Sequence, residues 1–250
     1  MHRLARFMTQ GTFIATMNCF RALLAAAALA CSSSPAMSQQ MSAVEFAGLA
    51  RYRSANAQLP APGANEQRVV FFGNSITEGW ARHFATMFPG RPYIGRGIGG
   101  QTTAQMVLRF RQDVIALAPK AVVILAGTND IAGNTGPASL EEIESNLAAM
   151  TEMAQANGIK VLLCSVLPVY DYPWKPGLQP AAKIVALNTW LRQYAATRGA
   201  TFVDYHTRFA DERQGMRPEH AADGVHPTDA GYRIMADLVE PLIQQALAKR

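Results

Sequence analysis

Ser75, Asn129, Asp223 and His226 offer a hydroxyl, an amide, a carboxylate and an imidazole, the groups that acyl transfer uses. A serine hydroxyl is a poor nucleophile until a base takes its proton, and the usual base is a histidine oriented by an acid. Asp223-Gly224-Val225-His226 offers that pair, with the carboxylate close enough in sequence to reach back to the imidazole. Ser75 stands just past the apolar run Val69 to Phe72, and Asn129 just past Val122 to Leu125. Acyl transfer also needs donors aimed at the developing oxyanion, for which an Asn amide or a backbone N–H is suited. Taken singly, each residue has an ordinary reading. A Ser or Asn after a strand caps a helix or turns the chain, and Asp223 to Pro227 also reads as a loop ending in a helix cap.

The strands and helices that carry these residues are read from the pattern beyond Arg68. Short β-branched or aromatic runs at Val69 to Phe72, Val122 to Leu125, Val161 to Val166 and Phe202 to Val203 alternate with longer helical segments. That alternation predicts βαβ units and a parallel sheet, whose carboxyl edge exposes reactive groups. Helices are expected over Leu140 to Ala156, closed by Gly158, and over Ala181 to Thr197. A last helix is expected from about Thr228, with Asp229 in its first turn, Tyr232, Met235, Val239 and Leu242 on one face, and Pro241 kinking or interrupting it. Gly95-Arg96-Gly97-Ile98-Gly99-Gly100 matches the dinucleotide pattern GxGxxG only formally. The preceding Arg91-Pro92-Tyr93-Ile94 is a poor buried strand, and Pro119 or Lys120 stands where an acid would hold a ribose. The segment is read instead as a flexible loop that brings a backbone N–H to the substrate.

The first 38 residues read as a secretory signal: Arg3, Arg6 and Arg21 are their only formal charges, and Ala22 to Ala30 is an apolar run too short to span a bilayer. Cleavage after Ser38 puts Ala36 and Ser38 at the small-residue positions, and Met17 is an alternative start. Cys31 is an alternative lipid-anchor site, although Ala28 sits where such signals usually carry Leu. Removal of the signal takes three arginines and no acids from a chain of formal charge +5. The remainder is close to neutral, with no electrostatic footprint for nucleic acid or an anionic membrane, and no integral membrane segment is expected in it. Residues 39–66 form an Ala-, Pro- and Gly-rich leader with a short helical stretch around Met41 to Tyr52, and residues 67–250 a single domain. Of Cys19, Cys31 and Cys164 only the last survives cleavage, as a buried strand residue without a disulfide partner. His83, His206, His220 and His226 show no metal-ligand spacing.

Together the segments resemble the SGNH hydrolase superfamily, the GDSL esterases, from Arg68 to the C-terminus. Gly73-Asn74-Ser75-Ile76 looks like its nucleophile block, Gly95 to Thr102 its glycine block, Gly127-Thr128-Asn129-Asp130 its Asn block and Asp223 to Pro227 its DxxHP block. The resemblance implies Ser75 as nucleophile, His226 as base and Asp223 as orienting acid. Its oxyanion donors would be the Ser75 and Gly100 N–H groups and the Asn129 amide, with Gly97 and Gly99 as rivals to Gly100. It implies a flavodoxin-like three-layer α/β/α sandwich with a five-stranded parallel sheet, and no cofactor. Asn74 departs from the usual Asp and Gly95 from a frequent Asn; Asn74 keeps the hydrogen-bonding turn while removing a charge beside Ser75.

The expected activity is carboxylic-ester hydrolysis through an acyl-Ser75 intermediate, on a small-molecule or glycan ester. Loops rich in Gly, Asn and Asp at the catalytic edge favour short acyl groups such as acetyl, because a long chain needs an apolar groove. A lysophospholipase or thioesterase is the alternative within enzymes, and a non-catalytic sugar-binding module the alternative outside them. Tyr170, Tyr172 and Trp174, in a loop after the Cys164 strand, could stack on a sugar ring or line an acyl pocket, or belong to a Pro-rich structural loop.

Overall fold

Residues 41–248 are described in a computed structural model. The expected signal and Cys31 lie outside them. A sheet of five parallel strands, β1 (Val69–Gly73), β2 (Tyr93–Gly97), β3 (Ala121–Leu125), β4 (Lys160–Cys164) and β5 (Thr201–Val203), runs in the order β2-β1-β3-β4-β5. In chain order the helices are α1 (Ala43–Ala47), α2 (Arg53–Gln58), α3 (Ser75–Ala81), α4 (Phe84–Met87), α5 (Thr103–Asp113), α6 (Thr128–Ile131), α7 (Leu140–Ala156), α8 (Ala181–Arg198), α9 (His206–Phe209) and α10 (Asp229–Ala248).

The side-chain period of two divides the core. Val70 and Phe72 of β1, Val122 and Ile124 of β3 and Leu163 of β4 pack with Phe110, Leu147 and Leu187 of α5, α7 and α8. Phe71, Val123 and Leu162 face the other way, against Trp80, Phe84 and Val239 of α3, α4 and α10. Helices on both faces make this an α/β/α sandwich of flavodoxin-like order, and explain why the central strands read as unbroken apolar runs.

Two expectations are corrected. The glycine block is not all loop: Gly95 and Gly97 belong to β2, an edge strand whose first three residues are only partly buried. A Cβ on Gly97 would lie 2.2 Å from the Glu78 N, and one on Gly95 2.3 Å from the Ala81 Cβ, so the alternating glycines let α3 press onto the strand. The last helix runs unbroken through Pro241, which is therefore tolerated within it rather than ending it.

The leader is folded against the domain. The Gln105, Gln112 and Gln101 side-chain amides donate to the carbonyls of Phe46 (2.8 Å), Leu49 (2.9 Å) and Ala47 (3.0 Å), fastening α1 and the turn after it beside α5. Beneath that contact Arg109 is fully buried. Its guanidinium donates to the carbonyls of Gly73 (2.8 Å) and Arg96 (3.0 Å) and to the Gln101 Oε1 (2.6 Å), pairs with Asp113 at 3.1 Å, and lies over the Phe72 ring. One cation thus ties the carboxyl ends of β1 and β2 to the loop that follows β2. Arg109→Met would leave the buried Asp113 carboxylate without its counter-charge and withdraw one donor from each of three further acceptors, so urea denaturation should show a loss of about 3–5 kcal/mol.

Candidate active site

Parallel pairing sets the positions of the first two site segments. Gly73 of β1 is in register with Leu125 of β3, so the residues just beyond them, Ser75 and Asn129, emerge at the same sheet edge. The buried Asn74 caps α3, its Oδ1 accepting the Ile76 N–H at 3.3 Å, which makes Ser75 the first residue of that helix. Asn in place of Asp therefore retains the capping bond.

His226 reaches Ser75 from the loop before α10. Asp223 Oδ1 accepts the N–H groups of Val225 (2.9 Å) and His226 (2.7 Å), folding the loop back on itself, while Oδ2 lies 2.6 Å from His226 Nδ1. Burial raises the Asp223 carboxyl, yet the bonds from the His226 ring and from the His226 and Val225 N–H groups, with the electrostatic pull of the ring itself, carry it below the usual carboxylate range. An ionised Asp223 only accepts, so Nδ1 carries the ring proton and Nε2 presents a lone pair. That Nε2 lies 2.8 Å from Ser75 Oγ. The His226 and Asp223 side chains are 39% and 44% exposed, so the hydrogen-bonded line opens to solvent on one side.

Asn129 is buried, and its Nδ2 donates to the Gln101 carbonyl at 2.9 Å. An amide nitrogen has two hydrogens, and this bond fixes the plane in which the second points. Among the three candidate glycines the structure separates the roles: Gly97 lies in β2, and the Gly99 N–H donates to Glu78 Oε2 at 2.9 Å. Gly100 sits at φ 76°, which only glycine adopts freely, and its N–H meets no acceptor among the described residues.

The three aromatics of the later loop are placed differently, although the Tyr172 and Trp174 rings pack at 5.1 Å. Tyr172 is wholly buried, its hydroxyl donating to the Thr128 carbonyl at 3.0 Å and lying 2.9 Å from the Thr128 Oγ1, and burial pushes its pKa up to about 12. It holds α6, and so Asn129, from behind, and offers no surface to a substrate. Tyr170 is exposed but covered on one face by the Arg213 guanidinium at 3.7 Å. Trp174 alone lies beside the line, its ring 6.3 Å from that of His226 and its Nε1 bonded to Asn134 Oδ1 at 3.2 Å.

Glu78, Gln101, Asn134 and Arg109 were not singled out by sequence. Only Arg109 left a signal there, as half of an Arg109–Asp113 pair on the same helical face as Met106 and Phe110. Cys164 is buried on β4, and burial pushes its thiol up to about 12, far from a reactive thiolate. Among the described residues no three His, Cys, Asp or Glu side chains gather as a metal-binding group, and no helix is long and apolar enough to cross a membrane.

A serine and histidine in hydrogen-bonding contact at the carboxyl edge of a parallel α/β sheet define the class of serine hydrolases. The chain belongs to the GDSL-like lipase/acylhydrolase family, whose model matches residues 71–234. A solved structure of a GDSL-like lipase from Bacteroides thetaiotaomicron is 46% identical, covers 81% of this chain and all of its own, and superposes with a TM-score of 0.79. An acetylxylan esterase of Xylanibacter ruminicola is 24% identical over 74% of this chain, and an uncharacterized lipoprotein of Bacillus subtilis, YqeF, 32% identical over 44% of it. The chain spans about half the length of these two curated relatives, 45% and 52%. The family is one of lipases and acylhydrolases.

The buried Tyr172 gives a test of its placement. Tyr172→Phe should lower stability in urea by about 1 kcal/mol, the ordinary worth of a buried hydrogen bond, and leave ester KM unchanged. A raised KM with full stability would return Tyr172 to the substrate surface.

Proposed function

We propose that the protein removes short acyl groups, acetyl foremost, from carbohydrate or other small alcohol carriers through an acyl-Ser75 intermediate. The observation that carries this reading is the 2.8 Å contact of Ser75 Oγ with His226 Nε2, continued at 2.6 Å from Nδ1 to Asp223. In this mechanism Ser75 Oγ attacks the ester carbonyl as its proton passes to His226 Nε2, and Asp223 holds the imidazolium that forms. The carbonyl oxygen gains the negative charge and is met by the N–H groups of Ser75 and Gly100 and the free hydrogen of the Asn129 amide. Collapse of the tetrahedral adduct breaks the bond to the alcohol, which leaves with the proton from His226. A water then repeats the sequence on the acyl-serine, freeing the acid and restoring Ser75. None of these steps calls for a metal or organic cofactor.

The exposed indole of Trp174 beside His226 is suited to a sugar ring on the alcohol side, and the acetylxylan esterase among the relatives is consistent with that class. The acyl side is expected to be short. The segments meeting at the site, Gly99 to Gln101 and Thr128 to Asn134, are dominated by small and polar residues. Each additional methylene would gain about 0.8 kcal/mol only where an apolar groove received it. We also infer export, with residues 1–38 removed or Cys31 lipidated, and a single catalytic domain over 67–250.

An ester panel from acetyl to decanoyl on aryl, glycan and lysophospholipid carriers tests this reading. kcat/KM should peak between acetyl and butyryl and fall steeply by octanoyl, and folded Ser75→Ala should lose several orders of magnitude in turnover. A profile rising through decanoyl would favour the lipid-acyl alternative, and near wild-type turnover by Ser75→Ala would end the acyl-serine reading.

A further inference from the structure

Gly100 is fastened on both sides, while its own N–H is left without an acceptor among the described residues. On the N-terminal side the Gly99 N–H donates to Glu78 Oε2 at 2.9 Å. On the C-terminal side Asn134 Nδ2 donates to the Gly100 carbonyl at 3.2 Å, and Asn134 is itself held through its Oδ1 by Trp174. The fastened loop lies against the nucleophile: a Cβ on Gly99 would be 3.8 Å from the Ser75 Cβ and 3.1 Å from Glu78 Oε2.

Glu78 owes its reach to the fold. It follows Ser75 by three residues on α3, so both side chains leave the same helical face. The absent Cβ of Gly97 lets α3 close on β2, which brings the Glu78 carboxylate under the loop. Its other oxygen, Oε1, accepts from Arg51 Nη2 at 2.8 Å. Arg51 lies between α1 and α2, outside the residues matched by the family model, and the neighbouring Tyr52 hydroxyl donates to the Gly97 carbonyl. The Arg51 side chain is 54% exposed, so this ion pair adds little to stability. What it does fix is direction, because a carboxylate bonded at both oxygens is confined to one rotamer.

We propose that Glu78 is a positioning residue for the oxyanion site: it holds the Gly99 N–H so that the Gly100 N–H faces the reacting carbonyl, and Arg51 steadies it in that pose. The inference rests on the acyl-Ser75 reading. It also gives the leader a part in catalysis that does not depend on contact with substrate. A donor that wanders by a fraction of an ångström loses its grip on the transition state while the ground-state ester still binds.

The test uses the full chain with Glu78→Ala, Glu78→Gln and Arg51→Met, read by kcat and KM on an aryl acetate and by inhibition with an arylboronic acid, which forms a tetrahedral adduct on serine. Glu78→Ala should lower kcat about tenfold or more and weaken the boronate by a similar factor, with KM within about twofold. Glu78→Gln, whose amide oxygen still accepts the Gly99 N–H, should keep kcat within about threefold, and Arg51→Met should fall between them. Unfolding temperatures should not move. Should Glu78→Ala fail to fold, Glu78→Met keeps the stem, removes both oxygens and carries the same expectation. Wild-type kcat and boronate affinity in the variant without the carboxylate would overturn the proposal, as would equal losses in Glu78→Gln and Glu78→Ala. Ser75→Ala separates the two readings: an active Ser75→Ala sinks the acyl-serine mechanism, whereas an inert one beside a fully active Glu78→Ala sinks only the role of Glu78.

Discussion

The buried guanidinium of Arg109 is the constraint on which the catalytic edge depends. It takes the carbonyls at the ends of two neighbouring strands, Gly73 and Arg96, and the side chain of Gln101, whose own carbonyl receives the Asn129 amide. A charge buried this deeply is costly unless it is paired and its donors are used, and Asp113 with three further acceptors meets that condition. The result is a rigid base beneath the residue that carries Ser75, the loop that carries Gly100 and the helix that carries Asn129.

Above that base the site is built from short-range devices. Asn74 starts α3 at Ser75, Asp223 folds its loop so that its two oxygens serve backbone and imidazole, and Tyr172 anchors α6 through Thr128. None of these bonds is strong alone, but each leaves a side chain with one orientation rather than several. Preorganisation of this kind is what lets hydrogen bonds favour a transition state over a ground state.

Much of this was legible in the chain because it is local. The central strands are apolar runs buried on both faces, and the Asp223-to-His226 pair closes within four residues, so neither needs tertiary information. The glycine block misled only in being read wholly as a loop: Gly95 and Gly97 serve helix packing on an edge strand, and glycine spacing alone does not tell a strand pressed by a helix from a loop. Tyr172 could not be told from Trp174, since one is wholly buried and the other exposed two residues on, a difference made by Thr128 across the fold. Glu78 and Arg51 escaped notice for the same reason. Their meaning lies in a contact between segments 27 residues apart, and each alone reads as an ordinary surface charge.

The central claim is that Ser75, with its proton drawn by His226, is the group that attacks. Labelling with an alkyl fluorophosphonate followed by peptide mass spectrometry addresses it directly, because only an activated hydroxyl displaces the fluoride. The account predicts one phosphonyl group per chain, on the peptide bearing Ser75, with activity lost in step with its attachment and no labelling of His226→Ala on the same timescale. Full inactivation with Ser75 unmodified, or stoichiometric label on another residue, would contradict it.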